Sequence, residues 1–134
     1  MGRLKWTAAV AQLFLAIGAH MAIAQSPRLT ITGDSGRANL VVSSGQELEL
    51  RLSANPTTGY TWQFDLGEHA HLQLKSRHYQ AIASGPAPQL GAGGIQYFVF
   101  EAVSAGTEHL QFEYRRGDTG QPTRTFELNV VVSR

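Results

Sequence analysis

Glu47-Leu48-Glu49-Leu50-Arg51-Leu52 alternates polar and apolar residues without a break, and Asn55-Pro56-Thr57-Thr58-Gly59-Tyr60 follows almost at once. Period-two alternation puts Leu48, Leu50 and Leu52 on one face of an extended strand, as a half-buried sheet requires. Pro56 fixes its own φ and drives Asn55 toward an extended conformation, while Gly59 permits positive φ. A strand that runs into a rigid, uncharged turn is therefore expected here.

The same period recurs along the chain. Phe98, Phe100 and Ala102 share one face, as do Leu110, Phe112 and Tyr114, and again Phe126, Leu128, Val130 and Val132. Leu29–Thr32 and Ala38–Ser43 are short β-branched runs, Tyr60–Leu66 is aromatic-rich, and Leu72–Ala81 is a weaker strand candidate. Turn-forming clusters separate these segments: Gly33-Asp34-Ser35-Gly36, Ser43-Ser44-Gly45, Ala105-Gly106 and Gly117–Pro122. No window shows helical spacing with caps. The pattern predicts an all-β, immunoglobulin-like antiparallel β-sandwich of seven to eight strands, with Trp62 as a candidate buried tryptophan.

Residues 1–24 read differently. Arg3 and Lys5 precede an uncharged stretch from Trp6 to Ile23, and Ala22-Ile23-Ala24 has the small-x-small form of a signal-peptidase site. The dense apolar run Ala8–Ile17 is short for a membrane span, which needs about 20 residues. A signal peptide at 1–24 and a working domain at 25–134 are expected, with a periplasmic or secreted destination and no membrane partner after cleavage. Loss of Arg3 and Lys5 leaves nine basic and ten acidic groups, which moves the formal charge from +1 to −1. That balance excludes a basic nucleic-acid binder. The absence of cysteine excludes a disulfide scaffold, a thiolate zinc site and a cysteine nucleophile.

If consecutive strands reverse direction, alternate connections lie at the same end of a sandwich. Three unusual segments fall on such connections. The first is Asn55–Tyr60. The second is the twelve-residue stretch Ala83–Gly94, in which Gly91, Gly93 and Gly94 leave room for main-chain pairing with another protein. The third, Arg115–Pro122, begins with two adjacent arginines.

Together these segments resemble the chagasin family of cysteine-protease inhibitors. The family's first loop reads N-P-T-T-G-Y, and Asn55, Pro56, Thr57, Thr58, Gly59 and Tyr60 match it at every position. Its G-x-G-G second loop is met by Gly91, Ala92, Gly93 and Gly94. Its third loop follows tyrosine and arginine and continues R-P-W. Tyr114, Arg115 and Arg116 fit, but Gly117 and Asp118 stand in place of proline and tryptophan. The resemblance implies a reversible, competitive inhibitor whose partner is a papain-like cysteine protease. Asn55–Tyr60 would enter the centre of the cleft with Thr57 and Thr58 in contact, Gly91–Gly94 would pair by backbone, and Arg115 and Arg116 would form a flank. The missing tryptophan removes an aromatic of the usual hot-spot type and implies weaker or differently selective binding. A monomer that uses no cofactor, metal or catalytic residue is expected.

Other uses of the same loop end are open at this point. Arg116-Gly117-Asp118 has the form of an adhesive tripeptide, and Tyr60, Trp62 and Phe64 alternate as the aromatic platform of a carbohydrate-binding module would, although a core role suits them better. A hydrolase has less behind it. His69-Ala70-His71 lacks an evident third metal ligand, no serine lies in a nucleophile elbow, and Asp65 with Glu68 reads as a solvated pair.

Overall fold

A computed structural model describes residues 27–67, 70–82 and 91–134. The signal-peptide reading of 1–24, His69, Glu68 and the greater part of the second loop, 83–90, lie outside the described residues.

Among the described residues eight strands form in the expected places: β1 (Leu29–Gly33), β2 (Gly36–Ser43), β3 (Glu47–Ala54), β4 (Tyr60–Gln63), β5 (Leu72–Ala81), β6 (Gly94–Ala102), β7 (Gly106–Arg116) and β8 (Arg124–Ser133). A 3-10 turn, Pro56–Thr58, joins β3 to β4. One sheet has the order β1-β3-β6-β5 and the other β2-β8-β7-β4. Directions alternate along the chain as expected, but sheet neighbours are mostly not sequence neighbours, because only β5–β6 and β7–β8 are hairpins within one sheet. The pairing is antiparallel except at β1–β3 and β2–β8. The tight turn Gly33–Gly36 explains that exception: it carries the chain from one sheet to the other, so β1 and β2 each join an edge of their sheet in parallel.

Alternation dictates what is inside. Leu48, Leu50 and Leu52 on β3, Phe98 and Phe100 on β6, Leu110 and Phe112 on β7, and Leu128 and Val130 on β8 are fully buried. Phe64, just past β4, packs its ring against Phe98, Phe100 and Phe112 at centroid distances of 5.2, 5.6 and 4.9 Å. Burying each such side chain contributes about 1.5–3 kcal/mol, which is how a chain without disulfides holds two sheets together. Two acidic groups are also buried, and both have partners. Glu49 receives Arg51 Nε at 2.6 Å and Arg28 Nη1 at 3.2 Å, and Glu108 accepts the backbone N–H of His71.

The two ends of the sandwich are closed by different chemistry. At one end Gly45 N–H donates to Ala102 O (2.7 Å), Ser44 N–H to Ser133 O (2.9 Å), and Gln46 Nε2 to Pro27 O (3.3 Å). At the other end lie the turn after β3, the described ends of the β5–β6 connection (Ile82 and Gly91–Gly93), and the connection between β7 and β8.

Gly94, grouped with the second loop in the sequence, is the buried first residue of β6, flanked by Ala54 on β3 and Ala81 on β5. A Cβ there would stand 2.2 Å from Gln80 O and 2.6 Å from Tyr79 Oη. Gly94→Ala should therefore lower the unfolding free energy by about 2–3 kcal/mol in urea titration. An unchanged midpoint would refute the close approach.

Candidate functional site

The turn after β3 is built as its residues require. Asn55 is extended at φ −141°, ψ 86°, as a residue before proline should be. Pro56 opens the 3-10 turn, where its missing N–H costs nothing. Gly59 closes it in the left-handed region at φ 83° and donates its N–H to Pro56 O at 3.0 Å. Thr58 N–H and Thr58 Oγ1 both donate to Asn55 O, at 3.2 and 2.6 Å, and Thr57 Oγ1 donates to Asn55 Oδ1 at 2.5 Å. Pro56, Thr57, Thr58 and Gly59 are exposed and carry no charge, while Asn55 and Tyr60 are half-buried at the base. The turn is a short wedge held from beneath by one asparagine.

The structure brings the described parts of all three predicted segments together. Asn55 Nδ2 donates to Gly91 O at 3.0 Å and ties the second segment to the first. Arg116 Nη2 donates to Thr58 O at 2.9 Å, and its guanidinium lies 5.0 Å from the centre of the Tyr60 ring, which ties in the third. Arg115 Nε donates to Gln63 Oε1 at 3.0 Å, and Gln63 Nε2 donates in turn to Gly117 O at 3.0 Å.

The roles within each segment differ from a simple reading of the motifs. Arg115 and Arg116 are the last residues of β7, paired with Thr61 and Tyr60, and the loop proper begins at Gly117. In the second segment Gly91 is exposed, Ala92 and Gly93 are half-buried and Gly94 is inside the sheet. Gly91 O accepts from Asn55, and Gly93 O accepts Ile82 N–H at 3.1 Å. Ala92 is the residue of the four whose backbone makes no hydrogen bond among the described residues.

Beneath the wedge is a floor that motif reading did not find. Tyr114 is buried, and its Oη accepts Asn55 N–H at 2.7 Å. Its ring lies 5.5 Å from Tyr60 and 5.0 Å from Trp62. Trp62 Nε1 donates to Ser53 O at 2.9 Å, and Arg124 donates to the same residue. A signal for Arg124 was available: it occupies the inward phase of the Phe126–Val132 alternation, an unusual place for a charge.

The other uses of this end find no support in the geometry. Arg116 of the Arg116-Gly117-Asp118 tripeptide is exposed, but its guanidinium is engaged by Thr58 O and the Tyr60 ring. Trp62 is buried, and half-buried Phe64 packs its ring against three phenylalanines, as core residues do. His71 Nδ1 faces Ser104 Oγ at 2.8 Å, and Asp65 Oδ1 accepts Gly67 N–H at 2.9 Å in a local turn.

Residues 41–130 match the model of the chagasin family peptidase inhibitor I42. The chain is 30% identical over 95 residues to chagasin of Trypanosoma cruzi, covering 67% of this chain and 83% of chagasin. It is 29% identical over 106 residues to amoebiasin-1 of Entamoeba histolytica, covering 78% of this chain and 99% of the relative. The crystal structure of a cysteine protease inhibitor from Entamoeba histolytica has the same fold, with a TM-score of 0.66 at 23% identity over 81% of this chain and 100% of that one.

Tyr114→Phe keeps the ring and removes only the acceptor for Asn55 N–H. The expected cost is about 1–2 kcal/mol in unfolding free energy. Retention of full stability would mean that water replaces the phenol at this site.

Proposed function

Because this chain belongs to the chagasin family of peptidase inhibitors, we propose that its wedge enters the active-site cleft of papain-like cysteine proteases and blocks them reversibly, in competition with substrate. The chain is an inhibitor rather than an enzyme. One observation carries the assignment of the site: three segments remote in sequence are hydrogen-bonded through Asn55 and Arg116 into one surface whose apex, Pro56–Gly59, is exposed and uncharged. Such a surface loses little conformational entropy on docking, which removes one of the costs set against its contacts.

The apex geometry also explains why an inhibitor of this form is not consumed. Peptides recognised by strand addition are extended, with main-chain groups free to pair. Pro56–Thr58 is a 3-10 turn ended by a left-handed glycine, and its carbonyls at Asn55, Pro56 and Thr58 are already hydrogen-bonded within the protein. The chain thus offers the protease no peptide in substrate register. Thr57 and Thr58 are the contact residues of the apex, Gly91 and Ala92 supply the second contact, and Arg115 and Arg116 line the third. Asn55, Tyr60 and Gly94 act by holding these in place. With Gly117 and Asp118 at the start of the third loop, that flank lacks an aromatic anchor, and the central wedge carries a larger share of the binding. We further propose export directed by residues 1–24 and action as a monomer in the periplasm or outside the cell.

Titration of the folded domain against papain tests the reading. One inhibitor should silence one enzyme, with raised apparent KM and unchanged kcat below saturation. Full protease activity at micromolar inhibitor would overturn it. Thr57→Ala with Thr58→Ala should raise the inhibition constant about thirtyfold without unfolding the domain, and Arg116→Ala about fivefold. An unchanged constant for the double threonine variant would reduce the turn to a purely structural role. Export in a bacterial host should yield a mature chain beginning at Gln25, read by mass spectrometry.

A further inference from the structure

Arg124 opens β8 on the inward side and faces Tyr114 across the β7–β8 ladder. Its guanidinium carbon lies 4.1 Å from the centre of the Tyr114 ring and 5.4 Å from that of Trp62. Nη1 donates to Ser53 Oγ at 2.9 Å and Nη2 to Ser53 O at 3.3 Å, while Asp34 Oδ1, which also accepts from Ser53 Oγ, is 3.8 Å away. Ser53 lies two residues before Asn55, and Tyr114 holds Asn55 N–H. One planar side chain thus grips the strand that enters the wedge and stacks on the ring that supports it.

We propose that Arg124 is the positioning residue of the wedge: it sets the angle at which Pro56–Gly59 leaves the sandwich, and through that angle the lifetime of the complex with the protease. This rests on the inhibitor reading above. Its hydrogen bonds reach Ser53 and not the apex, so it acts on the partner through Ser53, Tyr114 and Asn55. The task needs both a flat face for stacking and a two-pronged donor, which guanidinium has and ammonium lacks. A wedge free to tilt still meets its target, since encounter depends on diffusion and exposed surface. It fails to stay, because misaligned contacts are lost from the bound state.

The test compares wild type, Arg124→Lys and Arg124→Met for association with and dissociation from immobilised papain, and for amide exchange of Asn55 and Leu128 in the free proteins. Both substitutions should raise the dissociation rate about tenfold and leave association within about twofold. Asn55 should exchange about tenfold faster while Leu128, in the core, keeps pace with global stability. An unchanged dissociation rate overturns the proposal. So does restoration by lysine, which would mean that Arg124 acts by its charge on the enzyme. If Arg124→Met does not fold, judged by near-ultraviolet circular dichroism, Arg124→Lys alone carries the same comparison. If wild type fails to bind papain, the inhibitor reading falls, and the Asn55 amide decides the clamp: faster exchange in the variants supports it and equal exchange overturns it.

Discussion

The carbonyl of Ser53 is where the two sheets are locked together at the working end. Ser53 belongs to β3 in one sheet, and the groups that reach its oxygen, Trp62 Nε1 and Arg124 Nη2, come from β4 and β8 in the other. Two residues on, Tyr114 of β7 takes Asn55 N–H. Apolar packing alone is non-directional and lets packed sheets slide by small amounts. Directed bonds from three different strands to Ser53, near the end of β3, and to Asn55, just past it, remove that freedom where position matters. Everything presented outward, from the threonine hydroxyls to the Gly91 carbonyl, takes its place from this junction.

The interior beneath it supplies the bulk of the stabilisation and little of the specificity. Phe64, Phe98, Phe100 and Phe112 meet in edge-on and tilted arrangements that aromatic quadrupoles favour. Arg77 lies over Phe98 at 5.5 Å and donates to Trp62 O at 3.2 Å, so it bridges the outer edge strands β5 and β4 on the open side of the sandwich. Cations on ring faces recur at the margins of this core: Arg77 at the side, Arg116 and Arg124 at the working end. Each covers apolar surface with its stem while its head satisfies a carbonyl, a use that lysine would serve less well.

Much of this was legible in the residues. The alternation at Leu48–Leu52, Phe98–Ala102, Leu110–Tyr114 and Phe126–Val132 named the core almost completely, because a half-buried strand leaves no other pattern. Pro56 and Gly59 announced their own backbone angles. What could not be read was whatever depends on which strands meet. Gly94 looks like loop glycine until β3 and β5 are set on either side of it. Arg115 and Arg116 look like a strand exit until β4 extends the ladder to them. Ser53 carries no motif at all; its importance comes from β4 and β8 of the other sheet converging on it. Arg124 stood between these cases, since its phase was visible and its partners were not.

Hydrogen bonds at the far end of the sandwich have one more consequence. Pro27 is held by Gln46 and Ser133 by Ser44, so both described chain ends lie beside the turn between β2 and β3. The wedge occupies the opposite pole, a full strand length away. A group attached at Pro27 or Ser133 would therefore sit at the pole away from Pro56–Gly59, clear of the surface that the three segments form.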